Sequence, residues 1–406
     1  MRKPVLTIFY QFNPWHSTIG GIQTIISLFI KYAPSEFEVR LVGTGKDPTQ
    51  PLGKWQEAEL VGRAVQFLPL LTLQDDNVRS LVPTTIKYTA ALLGRSFASD
   101  FMHFHRLEPS LAALKWQGDK TLFVHNDIQK QMNSATAKNA ILWQRFPVGY
   151  FALESLLIKQ FTQIIAFQNE PAKFYQQRYP TIAERVDYDR FPVDNEVFYP
   201  LNLGKREEGR RVLVQQLGLP EQTRFVLFAG RLHPQKDPIL LIRSWATLDD
   251  PNVHLLIVGE GELANEVRSE IHCHGLSERV TLLGSVAQEK LADLHRVCSV
   301  FVLTSAYESG PLVVLEALSC GTPVVTTLCG ETPKFVSAKS GVICKERTPV
   351  AIADALRQVL QHPEDYPAEA CVRAAQPYSA RTVIADAYSQ MMQRWQRRSF
   401  AIEQQA

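Results

Sequence analysis

Two glutamates of the sequence, Glu308 and Glu316, have the residue type and the spacing to act on one ligand. In a helix that begins at Pro311, Glu316 would lie about 7.5 Å along the axis, at about 1.5 Å per residue. One carboxylate could then bind a sugar on one side of a diphosphate, while the other accepts hydrogen bonds from ribose hydroxyls. The apolar neighbours Leu315 and Ala317 favour this interpretation, because an unpaired acid in an apolar helix is costly.

The residues between the two glutamates predict an anion site. Pro311 suits the first helical position, where its missing N–H costs nothing, and Gly321 followed by Pro323 marks the end of the helix. Amides at a helix start are free to bind a negative charge. We expect this loop to follow a buried strand, at the sheet edge where open α/β sheets bind ligands. The amides concerned belong to Ser309, Gly310 and Leu312.

A second loop supplies positive charge. A buried strand runs into Gly230, and the cations Arg231 and Lys236 follow five residues apart. The loop leads to a helix that we expect Asp237 to cap and Pro238 to begin. Arg can bind a diphosphate with two parallel hydrogen bonds and Lys supplies a point charge, so both could stabilise a leaving phosphate.

Three weaker patterns accompany these loops. Gly259 and Gly261 form part of a GxGxxG pattern, which predicts close packing of a strand on a helix. Val286 lies in a loop whose backbone could contact a nucleobase. Gly20 and Gly21 open a helix after the first strand, and paired glycines allow a backbone to approach a ligand closely.

Histidines in the first half are candidates for sugar binding. His125, followed by Asn126, ends a predicted strand at the edge where the other loops are expected. His103 and His105 end another strand and would share one face of the sheet by alternation. His16 lies in the first loop and could contact donor or acceptor. A structural role remains open for each of these residues.

Length and composition exclude several classes of protein. The 406 residues are enough for two or three domains, and 45% hydrophobic with 21% charged residues indicates a globular chain. A net charge of +2 gives no support to nucleic-acid binding. The six cysteines form neither a CxxC pair nor a zinc pattern, so buried reduced thiols and a cytoplasmic location are expected. No apolar run is long enough to cross a membrane.

Alternating strand and helix patterns predict two doubly wound parallel-sheet domains of Rossmann type. We expect the first at residues 1–190, joined by a final helix within 380–406, and the second at 191–379. The predicted strands are Val5–Tyr10, Glu38–Val42, Phe101–His105, Leu122–His125, Ile164–Phe167, Arg224–Ala229, Val253–Val258, Val280–Leu283, Val300–Thr304 and Pro323–Thr326. The predicted helices are Ile22–Ala33, Pro238–Leu248, Leu263–His274, Gln288–Val297, Pro311–Ser319, Thr348–Gln361 and Ala380–Arg398.

With these residues in hand, the sequence resembles the retaining, nucleotide-sugar-dependent glycosyltransferases of family 4. The family pattern of two glutamates with seven residues between them is met by Glu308 and Glu316, and its Gly-Arg-Leu…Lys stretch by Gly230 to Lys236. The resemblance implies the GT-B fold, in which two Rossmann-like domains face a central cleft and the C-terminal helix crosses back to the first domain.

The resemblance also implies roles for individual residues. Arg231 and Lys236 would bind the pyrophosphate, Glu308 the donor sugar and Glu316 the ribose. His125 would contact the donor sugar. The remaining donor-site residues would be Gly20, Gly21, Gly230, Val286, Ser309, Gly310, Pro311 and Leu312, and the acceptor-site candidates are His16, His103, His105 and Asn126.

Two positions depart from the family pattern. The linker, usually Asn-Gly-Val-Asp, reads Arg190-Phe191-Pro192-Val193-Asp194 here. The residue two after the first glutamate, often Phe or Leu, is Gly310.

The predicted reaction is transfer of a hexosyl group from a UDP- or GDP-sugar to an acceptor hydroxyl, with retention. No metal or other cofactor is expected, since Arg231, Lys236 and the helix starting near Pro311 would neutralise the leaving diphosphate. The acceptor could be a glycan, a lipid-linked sugar or a small molecule. A nucleotide-sugar epimerase or hydrolase is the alternative. A dinucleotide-dependent oxidoreductase is disfavoured, because the first strand is not followed by the full GxGxxG motif that such an enzyme needs.

The apolar segments Phe67–Leu73, Thr84–Phe97 and Ala140–Phe161 are either core-facing helices or a surface for peripheral association with the inner membrane face. The oligomeric state is left open.

Overall fold

The structure, a computed structural model, describes residues 2–15, 20–45, 51–73, 82–125 and 147–403. The chain divides into two compact units. Unit 1 comprises Met1–Arg190 and Arg381–Ala406, and unit 2 comprises Phe191–Ala380.

Unit 1 is built on a sheet to which the described residues contribute eight strands, in the order β3-β4-β2-β1-β5-β6-β7-β8. Neighbouring strands are parallel except β3 and β4, which form an antiparallel pair. The strands are β1 Val5–Phe9, β2 Glu38–Gly45, β3 Gln56–Leu60, β4 Arg63–Thr72, β5 Phe101–Phe104, β6 Asp119–Val124, β7 Gln163–Ala166 and β8 Val186–Tyr188. The helices are α1 Gly21–Lys31, α2 Thr84–Leu92, α3 Pro147–Leu157 and α4 Asn169–Arg178, with 3₁₀ turns at Glu108–Ala113, Ile158–Gln160 and Pro180–Arg185.

Unit 2 is built on a six-stranded parallel sheet in the order β11-β10-β9-β12-β13-β14. Its strands are β9 Arg224–Ala229, β10 Val253–Val258, β11 Val280–Gly284, β12 Val300–Leu303, β13 Val324–Thr327 and β14 Gly341–Cys344. Its helices are α5 Leu203–Leu217, α6 Pro238–Thr247, α7 Ala264–Cys273, α8 Gln288–Val297, α9 Leu312–Ser319, α10 Thr332–Phe335, α11 Pro349–Gln361 and α12 Ala368–Ala375, with 3₁₀ turns at Pro363–Asp365 and Gln376–Tyr378.

The last helix, α13 (Ala380–Glu403), belongs to unit 1 from Arg381 onward. Tyr388 of this helix is buried, and its hydroxyl donates a 2.8 Å hydrogen bond to the carbonyl of Phe29 in α1. At the other end of the helix, Arg394 donates to the buried carboxylate of Asp119 at 3.1 Å, and Arg398 donates to the same carboxylate. The helix is therefore fixed to unit 1 by both polar and apolar contacts.

The parallel-sheet architecture predicted from the sequence is confirmed. Strands such as β9 and β10 are continuous apolar runs, and their residues are buried because helices cover both faces of the sheet. The sequence patterns missed four strands: β3, β4, β8 and β14. Strands β3 and β8 lack a continuous apolar run, β14 begins at a glycine, and the apolar run of β4 was interpreted as a helix or a surface. Helices α4, α5, α10 and α12 were also missed.

One expectation about the apolar segments is corrected. Phe67–Leu73 is neither a helix nor a lipid-facing surface, because Phe67, Leu68 and Leu70 are buried in β4 at the core of unit 1. In Ala140–Phe161, residues 140–146 lie outside the described part of the chain. The remainder contains α3, which buries Tyr150 but leaves Val148 largely exposed.

All six cysteines are free, and five of them are buried. Cys273 is exposed, so the expectation of burial is wrong for that residue. In the described ranges, no helix is both long and apolar enough to cross a membrane.

The attachment of α13 predicts a specific sensitivity. Asp119→Ala removes a carboxylate of which 1% is exposed and which binds two partly exposed arginines. We expect the free energy that holds α13 on unit 1 to fall by about 1–3 kcal/mol. This is less than the cost of breaking a fully buried ion pair, because both arginines are partly exposed. Hydrogen exchange should become faster in peptides that cover α13.

The control is Arg397→Ala, which replaces an exposed arginine on the same turn of α13 for which the described residues offer no ion pair. Equal exchange in both variants would show that Asp119 does not hold the helix.

Candidate functional site

The sheet of unit 2 contains a topological switch point between β9 and β12. After β9 the chain builds outward to β10 and β11, and it then returns to place β12 on the other side of β9. In open α/β sheets, ligands bind outside the carboxyl ends of the strands at such a point. The loops that follow these two strands carry Arg231 and Lys236 on one side and Glu308 on the other.

An ion pair joins these two loops. Lys236 Nζ lies 2.5 Å from Glu308 Oε1, and Ser305 Oγ donates a 2.6 Å hydrogen bond to the same oxygen. The two charged side chains are only 18% and 7% exposed, so water screens their attraction less than at the surface. Ser305 had not been singled out from the sequence, although it stands three residues before Glu308.

The residue after Lys236 is held in an unusual conformation. Asp237 has a left-handed backbone, with φ of 49°. Its Oδ1 accepts from the amide of Leu240 and so caps α6, while Arg347 donates to Oδ2 at 2.5 Å. Thr304 Oγ1 also donates to the carbonyls of Lys236 and Asp237, at 3.0 and 2.9 Å. These bonds offset the backbone strain and fix the direction in which Lys236 leaves the loop.

The loop that carries Arg231 is packed against two glycines. A Cβ on Gly259 would lie 2.0 Å from the carbonyl oxygen of Gly230, and one on Gly261 would lie 2.3 Å from that of Leu232. The partial glycine motif therefore serves close packing, as expected, but against this loop. Arg231 itself is exposed, and no residue that the structure describes forms an ion pair with its guanidinium.

Helix α9 begins one residue later than predicted. Pro311 is the N-cap and Leu312 is the first helical residue, because Pro311 adopts an extended backbone with ψ of 96°. Within the described ranges, no group accepts a hydrogen bond from the amides of Gly310 and Leu312. The amides of Gly310 and Leu312, two of the three predicted to bind an anion, are thus available at the start of α9, next to the ion pair.

Glu316 is buried in α9, with 8% of the residue exposed. Burial raises the pKa of its carboxyl to about 7, and the positive charge of Lys236 opposes this shift. Among the described residues, none donates a hydrogen bond to this carboxylate. A ligand that donates hydroxyl groups would therefore satisfy a carboxylate that the described residues leave without a donor.

A tight turn after β13 supports the loop of Glu308 from one side. Gly330 has a left-handed φ of 52°, and a Cβ there would lie 2.4 Å from the carbonyl oxygens of both Glu308 and Ser309. The amide of Glu331 donates to the carbonyl of Ser309 at 3.1 Å. Sequence reasoning missed this turn, whose only signal is a glycine shortly after a strand.

In unit 1, the structure brings two of the predicted histidines together. His105 Nδ1 lies 2.9 Å from His125 Nε2, and their rings stack with centroids 5.1 Å apart. Burial lowers the pKa of His125 to about 3 and lowers that of His105 as well. Both rings are therefore neutral near pH 7, and one nitrogen of the pair must donate while the other accepts.

His103 is also buried, with its ring edge-on to Phe29 and Phe123. Burial lowers its pKa to about 3. Contact of His103 and His105 with an acceptor stays a prediction, and both are buried in the sheet face of unit 1. Gly20 caps α1 and Gly21 is its first residue, while His16 and Asn126 lie outside the described residues.

Val286 lies in the loop between β11 and α8 and is half-buried. The loop follows the carboxyl end of β11, at the same edge of the unit 2 sheet as Gly230 and Glu308. Contact with a nucleobase stays a prediction for this residue.

Comparison with known proteins agrees with this fold. Residues 209–376, within unit 2, match the family of glycosyl transferases group 1. Over 268 residues the chain is 31% identical to the D-inositol 3-phosphate glycosyltransferase of Streptomyces coelicolor, which covers 60% of this chain. The chain thus spans 59% of the length of that relative.

Solved structures resemble the whole chain. Sucrose-phosphate synthase from Thermosynechococcus elongatus has a TM-score of 0.72 at 18% identity, covering 98% of this chain and 100% of its own. Anabaena HepE in complex with UDP-glucose has a TM-score of 0.70 at 18% identity, covering 95% and 100%. The fold is therefore that of the GT-B glycosyltransferases. Residues 209–376 of unit 2 thus match the glycosyl transferase group 1 family, and the chain is similar to glycosyltransferases of that group.

The buried Glu316 predicts a dependence of stability on pH. Its folded-state pKa of about 7 exceeds the ordinary 4.5, so the folded state holds more protons than the unfolded state between these values. The protonated carboxyl of Glu316 therefore makes its whole contribution to the free energy of unfolding below about pH 4.5. This contribution is lost as the pH rises to about 7. At about 1.4 kcal/mol per pKa unit, wild type should lose on the order of 3 kcal/mol relative to Glu316→Gln across this range.

Denaturant unfolding of both proteins at pH 5 and pH 8 measures this difference. Glu346→Gln, which replaces an exposed glutamate of unit 2, is the control and should show none of it. A wild-type and Glu316→Gln pair with parallel pH profiles would contradict the raised pKa.

Proposed function

We propose that this protein transfers a hexosyl group from a nucleotide diphosphate sugar to an acceptor hydroxyl, with retention of the anomeric configuration. The observation that carries the proposal is the juxtaposition of Arg231, Lys236 and Glu308 at the switch point between β9 and β12. The match of residues 209–376 to the glycosyl transferase group 1 family supports it.

Donor binding would divide among these groups by charge. The exposed guanidinium of Arg231 and the amides of Gly310 and Leu312 suit a diphosphate, which they can bind through charge-assisted hydrogen bonds. The ammonium group of Lys236 would interact with the phosphates while it remains close to Glu308. Glu316, buried without a donor among the described residues, suits the hydroxyls of a ribose.

Glu308 suits the hexosyl group. Lys236 and Ser305 both use its Oε1, and none of the described residues donates a hydrogen bond to Oε2. Oε2 is thus left to accept a hydrogen bond from a sugar hydroxyl, while the ion pair keeps the carboxylate oriented. His125, oriented by His105, would contact the same sugar in this proposal.

The proposed reaction breaks the bond between the anomeric carbon and the diphosphate oxygen, and the diphosphate leaves with the bonding electrons. Arg231, Lys236 and the start of α9 would stabilise the charge that develops on it. The acceptor hydroxyl attacks from the same face, and its proton passes to the departing phosphate oxygen. The new glycosidic bond then has the configuration of the donor.

This proposal assigns the neutralisation of the diphosphate to the protein's own cations and amides, so it includes independence of metal ions. In the ranges that the structure describes, no group of three or more His, Cys, Asp or Glu side chains could hold a metal. Full transfer in the presence of a chelator is the expected result.

The donor and acceptor are proposed as classes. The complex of HepE with UDP-glucose makes a UDP-sugar the first donor to test. The acceptor would be a hydroxyl-bearing glycan, lipid-linked sugar or small molecule, and the name of the Streptomyces relative suggests inositol 3-phosphate as a first small-molecule trial.

Peripheral membrane association stays a proposal supported by the exposed Val148 and Leu156 of α3, and flotation with anionic liposomes tests it.

Arg231→Ala tests the assignment of the diphosphate site. We expect the substitution to lower transfer activity about 10²- to 10³-fold, because a preorganised charge that stabilises the leaving group is lost. Thermal-shift screening with UDP-, GDP- and ADP-sugars first identifies the donor, and kcat/KM for that donor is then measured.

Arg268→Ala is the control, because Arg268 is also exposed in unit 2 and forms no ion pair among the described residues. Full activity of Arg231→Ala, or an equal loss in both variants, would contradict the site.

Product analysis tests the reaction class. We expect a glycoside with the anomeric configuration of the donor, seen by NMR, and no turnover without an acceptor. Release of a free sugar in the absence of acceptor would favour the epimerase or hydrolase alternative, which no structural observation favours. An inverted product would overturn the retaining part of the proposal.

A further inference from the structure

Gly310 is a glycine for reasons of space. Its backbone φ is not among the positive values that favour glycine. A Cβ on this residue would instead lie 2.0 Å from Cε2, 2.4 Å from Cζ and 2.5 Å from Cδ2 of Phe191. Real Cβ atoms do not approach a ring this closely, so the side chain of Phe191 occupies the volume that a side chain at position 310 would fill.

The ring of Phe191 is anchored in unit 2. Phe191 is 5% exposed, and its ring packs edge-on to that of Phe335, at the end of α10, with centroids 6.2 Å apart. Phe335 in turn packs against Tyr378 at 5.0 Å. The ring is therefore held by an aromatic cluster and cannot move aside without disturbing α10.

The loop that carries Glu308 is thus held at two points. Gly330 contacts the carbonyls of Glu308 and Ser309 with no room for a Cβ, and Phe191 contacts Gly310 in the same way. The turn at Gly330 leads directly into α10, which carries Phe335. A single packed unit formed by Phe191, α10 and the Gly330 turn therefore sets the position of residues 308–310.

We propose that Phe191 is a positioning residue for the donor hexosyl group. It acts through the backbone of Gly310 on the carboxylate of Glu308, and the proposal rests on the function proposed above. Since Arg231, Leu312 and Glu316 do not touch Phe191 in this packing, the effect falls more on binding of the sugar than on binding of the nucleotide. Phe191 thereby supplies from the linker the bulk that position 310 lacks.

Phe191→Ala tests this role through a ratio of affinities. The variant frees the loop of Glu308, so we expect affinity for the hexosyl donor, measured as KM or by calorimetry, to fall about tenfold. Affinity for the bare nucleoside diphosphate should change less than threefold. Phe191→Leu keeps more of the side-chain volume, so its affinity for the hexosyl donor should lie between those of Phe191→Ala and wild type. It replaces Phe191→Ala in this test if the alanine variant does not fold.

A volume swap gives the second measurement. Gly310→Phe alone places two rings in one space and should lose donor affinity and thermal stability. The double variant Phe191→Ala with Gly310→Phe restores the bulk from the other side and should recover at least tenfold of the donor affinity lost by Gly310→Phe.

Phe198→Ala is the matched control, because Phe198 is another buried phenylalanine of the 189–202 segment, packed on His295 away from Gly310. It should lower stability without changing the ratio of donor to nucleotide affinity. If Phe191→Ala leaves that ratio unchanged, or the double variant recovers nothing, Phe191 is only a packing residue and the inference is wrong. If wild type binds neither nucleotide nor nucleotide sugar, the proposed function itself fails, and this inference falls with it.

Discussion

The contact between Lys236 and Glu308 is the interaction on which the candidate site depends. These residues are 72 positions apart, and they meet because β9 and β12 are neighbours at the switch point of the sheet. A partly buried ion pair is held only where both partners are oriented by other bonds, since each charge loses water on burial. Ser305 orients Glu308, and the left-handed Asp237, held by Thr304 and α6, orients Lys236. The surrounding loops are thus organised around one short contact.

The same lysine also affects Glu316. Burial raises the pKa of that carboxyl, and the charge of Lys236 partly opposes the rise. Lys236 therefore interacts with two acids. It forms an ion pair with Glu308, and its charge acts on Glu316 without a direct hydrogen bond. Functional sites commonly retain a buried group that destabilises the folded state, because the ligand completes its hydrogen bonds. The absence of a donor to Glu316 among the described residues fits this pattern.

The sequence predicted the elements with strong local signals. Continuous runs such as Val253–Val258 identified the buried parallel strands, and the Asp237-Pro238 pair identified the start of α6. It could not predict β3, whose alternating polar residues Gln56–Leu60 form the edge of a sheet, or β14, which begins at a glycine and has only two β-branched residues. The loops of Arg231 and Glu308 were predicted to meet at one sheet edge. The Lys236–Glu308 bond, the Gly330 turn and the burial of Phe191 depend on packing between distant segments, which no local pattern reports.

The segments through which the chain passes into and out of unit 2 run side by side. The amide of Val193 donates to the carbonyl of Tyr378 at 2.7 Å, and the amide of Ala380 donates to the carbonyl of Val193 at 2.8 Å, forming a parallel bridge between Val193 and Ser379. In sequence, unit 2 is therefore an insertion into unit 1, and backbone hydrogen bonds join its two ends. Such a module corresponds to one uninterrupted stretch of coding sequence with adjacent termini. Adjacent termini of this kind are the geometry in which insertion of a domain is tolerated.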